Sequence, residues 1–184
     1  MAQNNLSRSM HDLGLSAWFG GTLANAVALN RASGEAGSDR STGAVANAGW
    51  DRWTPVNAAA IGAHLAGAVA QLSQDKGRVS AQQGVATTAL VKTALTASAL
   101  GVTAYSRVLG RKVSAQGRVP AQDGTTPAPG TPDDAAAAQR QLRLLQWAVP
   151  ALTGALVVVS AIAGEQQRAT EVHRGVAQRL NPLR

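Results

Sequence analysis

Charge is missing from four long stretches of this chain and gathered between them. Leu13 to Asn30 runs 18 residues without a charged side chain, and Thr54 to Gln74 runs 21 with His64 neutral. Val79 to Ser106 runs 28 residues broken only by Lys92, and Leu144 to Gly164 runs another 21. A helix on the surface of a water-soluble domain carries charge on its outer face every turn or so. A bilayer-crossing helix needs about 20 apolar residues, within a range of roughly 17–25. The pattern therefore predicts an all-α, polytopic membrane protein: a single four-helix transmembrane bundle with spans at about 12–30, 55–74, 83–106 and 143–164. The last stretch is strongly apolar. The second is mostly Ala and Gly, with Ile61, Leu65, Val69 and Leu72 in one stripe. Such a helix suits close packing among others, and Gly62-x-x-x-Ala66 and Ala63-x-x-x-Gly67 have the spacing that lets backbones approach.

Helix boundaries follow from capping chemistry. Ser9 with Asp12, and Ser80 with Gln83, read as capping boxes. Thr54-Pro55 reads as N-cap and first helical residue. Thr131-Pro132-Asp133-Asp134 opens the fourth helix with acids in its first turn, so Asp133 and Asp134 are capping residues and not a catalytic pair. That helix begins before the membrane and continues as a helical extension over 165–180, with Val172, Val176 and Leu180 in register. Asn181-Pro182 ends it. Glu165 and Glu171 lie within reach of Arg168 and Arg174. Arg31 to Trp53 reads as a polar loop, the short turn around QDKGR makes helices two and three an antiparallel hairpin, and about 113–131 is a mobile loop rich in Pro, Gly and Thr. Pro150 should kink the fourth helix beside Thr153.

Composition sharpens the class. There are one Phe, one Tyr and four Trp in 184 residues, too few aromatics for an ordinary water-soluble core. Without cysteine there is no disulfide, thiol catalysis or cysteine-ligated metal. The net charge of +7 suits an anionic lipid surface or nucleic acid equally. The start of the chain has no pattern of a cleavable signal peptide. The basic cluster SRVLGRK after the third span, with Arg140 and Arg143 before the fourth, assigns the second long loop to the cytoplasm. Trp50, Trp53, Tyr105 and Trp147 fall at span ends on that face and read as interfacial anchors.

Few residues carry candidate chemistry. Lys92 lies seven residues past Val85 and His64 nine before Ser73, which sets both at similar depth on adjacent helices. They form the candidate intramembrane polar site, in which His64 accepts a hydrogen bond from Lys92. The alternatives are a lysine that snorkels to the headgroups and a histidine bonded to Thr or a backbone carbonyl. Asn25 and Asn57 form a candidate structural pair bonding across helices one and two. His11 and His173 are dispersed but approach one membrane face. No phosphate loop, zinc-protease or nucleophile-elbow motif is present. No catalytic residue, metal or cofactor is expected, and no enzyme activity.

The first helix, HDLGLSAWFGGTL, carries His11, Trp18, Gly20 and Gly21. It resembles the opening helix of DUF4149-like and copper-resistance-D-like proteins over about 13 residues. The resemblance implies a small four-helix protein of the bacterial inner membrane and carries no binding residue over. The expected role is a multi-pass structural or interaction component of the plasma membrane, whose partners are the lipid bilayer, other membrane proteins or further copies of itself. A small transport or redox subunit using His64 and Lys92 is the second reading. A soluble basic bundle binding nucleic acid is the third, and the absence of a basic stripe with interleaved aromatics speaks against it.

Overall fold

In the computed structural model the described residues are 2–168 together with 172, 173, 176 and 177. Most of them are helical and none lies in a strand; the single β-bridge among them joins Ala121 and Pro127. Helix α1 runs Ala2–Ala24 and passes into a π-helical turn, Asn25–Leu29, then short helical turns at Asn30–Ala32 and Ser33–Glu35. Helix α2 covers Asp39–Gln74, α3 Lys76–Ala81, α4 Val85–Ser114 and α5 Asp133–Glu165. At 1.5 Å per residue the 36 residues of α2 extend about 54 Å. Helices α4 and α5 are long and apolar enough to cross a membrane.

Helix α1 packs on α2 and on α5, and α5 packs on α4. The α1 face that does this is a stripe of Ser7, His11, Gly14, Leu15, Trp18 and Thr22, all buried. Trp18 meets Ala99 of α4 and Val149 of α5, joining three helices in one cluster. A second cluster, Leu109 and Val113 with Val119, Ala135 and Ala138, fixes the far end of α4 against α5.

Several boundaries differ from the sequence expectations, each for a visible reason. The segment 31–53 is mostly helix. Ser38 caps α2 by accepting from the Ser41 amide, and its Gly-rich composition serves close packing: a Cβ on Gly43 would collide with the Val119 carbonyl. Pro55 therefore lies inside α2 and does not start it; one residue earlier, the Thr54 hydroxyl donates to the Trp50 carbonyl at 2.8 Å. Ser9 is interior to α1, so no capping box opens that helix. Ser80 sits in α3 and donates back to Lys76 and Gly77 carbonyls, while α4 starts after Gly84 at φ +83°. At α5 the acids Asp133 and Asp134 do occupy the first turn, but Pro132 precedes them with no side-chain cap. Helix α5 stays continuous through the buried Pro150, whose neighbour Thr153 donates to the Val149 carbonyl.

Residues 115–132 are folded onto the helix ends and are not a free loop. The Gly124 amide donates to Asn30 O at 2.8 Å and the Ala121 amide to Asp39 O at 3.0 Å, and Val119, Ala121 and Thr125 are buried. At the other end α5 stops at Glu165, with Gln166 as its C-cap. Glu165 pairs with Arg168 at 3.0 Å, as the spacing predicts. The Val172–Val176–Leu180 register, the Glu171–Arg174 pair and the Asn181-Pro182 stop fall wholly or partly outside the described residues.

Candidate functional site

The contact of α1 with α2 sets up the site. A Cβ on Gly14 would fall under 3.0 Å from Ala60 O and His64 N, and one on Gly67 would collide with Ser7 O and His11 N. Only glycine at both positions lets the two backbones touch. That approach buries His11 and His64 side by side as a tilted ring pair, with ring centroids 4.5 Å apart at 47° and relative exposures of 1% and 0%. Trp18 closes the inner side, 6.0 Å from His64, and its indole donates to Thr103 at 3.3 Å. His64 Nδ1 faces the His11 carbonyl at 3.4 Å, and Nε2 faces the Thr96 hydroxyl at 3.5 Å. Asp12 holds His11 Nδ1 at 2.7 Å, whereas His11 Nε2 is buried with no partner among the described residues.

Lys92 does not bond to His64. Helices α2 and α4 are antiparallel, with Asp51 paired to Arg107 at 3.0 Å and His64 opposite Thr96. Thr96 is one turn, about 6 Å, further along α4 than Lys92. The expected pair is thus offset by a turn, and His64 takes the hydroxyl and carbonyl partners of the alternative reading. Lys92 is half-buried on the wall of a groove that it shares with both histidines, and it makes no hydrogen bond or ion pair among the described residues. The two carboxylates within electrostatic reach are already engaged: Asp12 with His11, and Asp75 with Arg78 at 3.0 Å.

The groove exists because α2 and α4 hardly touch, although only α3 separates them in sequence. The expected hairpin is therefore splayed and leaves a cavity of about 360 Å³. Leu65, Val69 and Leu72 of α2 and Val85, Ala89 and Leu100 of α4 form its apolar walls. At its outer end Arg78 donates to the Gln166 carbonyl at 2.8 Å, and Gln82 to the same oxygen at 3.0 Å. This ties α3 to the end of α5. Among the described residues no group of three or more His, Asp or Glu could hold a metal ion. His11 meets His64 and not His173, which is exposed.

Of the other expected site residues, Trp50, Trp53 and Asn57 line a cavity of about 210 Å³ toward the opposite end. Asn25 and Asn57 do not bond to each other. Asn25 Nδ2 and Asn57 Oδ1 are both buried without a partner among the described residues. The π-helical turn adds a residue to the helical repeat and changes the phase of α1. Asn30 then takes the linking role, accepting from Trp50 Nε1 at 2.9 Å and donating to Gln146 at 2.8 Å. Trp53 packs inward against Gly21 and so is no outward anchor, while Tyr105 and Trp147 are half exposed. Sequence reasoning did not place Asp12, Trp18 or Thr96 at the site. Trp18 is seven residues from His11 and Thr96 four from Lys92, spacings that share a helix face. No protein-family model, curated protein or solved structure matches this chain.

Proposed function

We propose that the chain is a multi-pass protein of the bacterial inner membrane in which α1, α2, α4 and α5 all span the bilayer, and that its role is that of a structural or interaction component. The observation that carries this reading is the direction of the side chains. Val56, Leu90, Val91, Val157, Val158 and Ile162 face outward, whereas His11, Thr22, His64, Gln139 and Thr153 are buried. Water favours the reverse arrangement, because burying apolar area is the main gain in aqueous folding. In lipid, helices associate through small residues and interhelical hydrogen bonds. In their most apolar windows only 11% of α4 and 22% of α5 is buried, which fits lipid contact better than a soluble core.

Two measurements test it. The protein should pellet with membranes and resist a carbonate wash. The chain has no cysteine, so single cysteines report sidedness cleanly. Glu35→Cys and Gln116→Cys should react with an impermeant maleimide from one side of sealed vesicles, and Lys76→Cys from the other. Labelling of Glu35→Cys together with Lys76→Cys from one side would remove α2 as a span. Full extraction by carbonate would remove the membrane reading itself. The basic cluster at Arg107, Arg111 and Lys112 assigns the Gln116 side to the cytoplasm.

A further inference from the structure

The groove between α2 and α4 has apolar walls, one unengaged cation and one unengaged buried nitrogen. Lys92 supplies the cation. The nitrogen is His11 Nε2, in a side chain 1% exposed. With Asp12 holding Nδ1, the neutral ring donates there and accepts at Nε2. Beside a lysine that only donates, the groove asks for a head group with an acceptor for the ammonium and a proton to share with the imidazole. A carboxylic acid has both. It can give its proton to Nε2 or keep it in a hydrogen bond, and its oxygens accept from Lys92 in either form. The walls ask for hydrocarbon. About 360 Å³ is near the small end of ligand pockets, roughly 300–1,000 Å³, and suits a single chain better than a two-chain lipid. Asp12 and Asp75 do not discharge this demand, because each already holds another group.

We propose that this groove binds a fatty acid, its carboxyl group between Lys92 and His11 and its chain along Leu65, Val69 and Leu72. This rests on the membrane reading for access to the ligand, since fatty acid partitions into bilayers. The test uses purified full-length protein in detergent, so failure of binding and failure of membrane insertion are separate results.

The probe is palmitate carrying a diazirine on its chain, cross-linked by light and mapped by mass spectrometry. Labelling should saturate on the 65–72 and 85–100 segments. Unlabelled palmitate should compete at least about tenfold better than hexadecanol, the share expected of a charged hydrogen bond. Lys92→Gln and Lys92→Met should lower saturable labelling by about tenfold, and Lys92→Arg should restore most of it. Equal competition by hexadecanol, parental labelling in a folded Lys92→Gln protein, or cross-links confined to the outward face at 157–162 would each overturn the proposal. So would stronger competition by phosphatidylglycerol, which would make the occupant a two-chain lipid. The palmitate–hexadecanol comparison is made on the parent protein and stands even if a variant does not fold.

Discussion

Gly67 and Gly62 sit five residues apart in the same helix, in overlapping small-residue pairs, and the structure gives them opposite meanings. A methyl group at Gly67 would strike backbone atoms of Ser7 and His11, which cannot move aside without separating α1 from α2. At Gly62 a methyl group meets nothing within 4 Å. Gly67→Ala should therefore destabilise the protein by about 1–3 kcal/mol, the usual range for overpacking. Gly62→Ala should be neutral or stabilising by up to about 1 kcal/mol, because Ala is the better helix former. Thermal unfolding in detergent reads both, and equal effects would mean that α1 and α2 do not touch through Gly67. The sequence marks both pairs but not the face each helix turns inward. The same limit governs His64 and Lys92. Counting residues from helix ends gives depth to within a turn, so the two are legible as neighbours in one region. Which nitrogen meets which hydroxyl depends on rotation about the helix axis and on a one-turn offset, and neither is written in charge spacing. Asn25 failed as a partner for the same reason, since the π-helical turn after Ala24 changes the phase of everything beyond it.

Among the elements, helices were legible where charge stops and least legible where glycine is frequent. The segments 31–53 and 113–131 read as loops because Gly, Ser, Thr and Pro disfavour helices in isolation. In the fold these small residues instead let two segments pack closely: Gly43 lies beneath Val119, and Gly124 lies against Asn30. The connection between α4 and α5 is thereby fastened to the helical turn at Asn30–Ala32 and to α2, although it lacks regular structure. A test follows from Arg118, which is exposed while its neighbour Val119 is buried. Trypsin should cut the native protein slowly after Arg118, because cleavage needs the segment to lift away. Gly43→Val or Gly43→Leu should speed that cut about tenfold or more, corresponding to roughly 1.4 kcal/mol of lost attachment. Cleavage equally fast in parent and variants would mean that the segment is free. By contrast, Asp133 and Asp134 open α5 as the sequence implies, since helix-dipole chemistry is local and needs no tertiary partner.

At the scale of the molecule, the deciding question is which solvent the outer surface faces. Val158 is 60% exposed on α5, inside the uncharged stretch from Leu144 to Gly164. A water-soluble bundle would gain from a charge there: Val158→Arg would break an apolar patch, leave the core intact and change stability by no more than about 0.5 kcal/mol. A lipid-facing Val158 behaves oppositely. Arginine near the centre of a span costs about 2.5–3.5 kcal/mol on insertion scales, enough to lower the inserted fraction of a helix by tenfold or more. Ile162 lies one turn nearer the end of α5 and is also exposed. Ile162→Arg should cost less, because a long side chain near a span end carries its charge to the headgroups. The membrane reading therefore predicts a graded loss of membrane-inserted protein, large for Val158→Arg and small for Ile162→Arg. Measurement is by carbonate-resistant protein in isolated membranes against total synthesis. Unchanged or improved recovery of both variants as soluble, folded protein would place this face in water. The outward valines would then mark a surface that binds another protein and not the acyl chains of a bilayer.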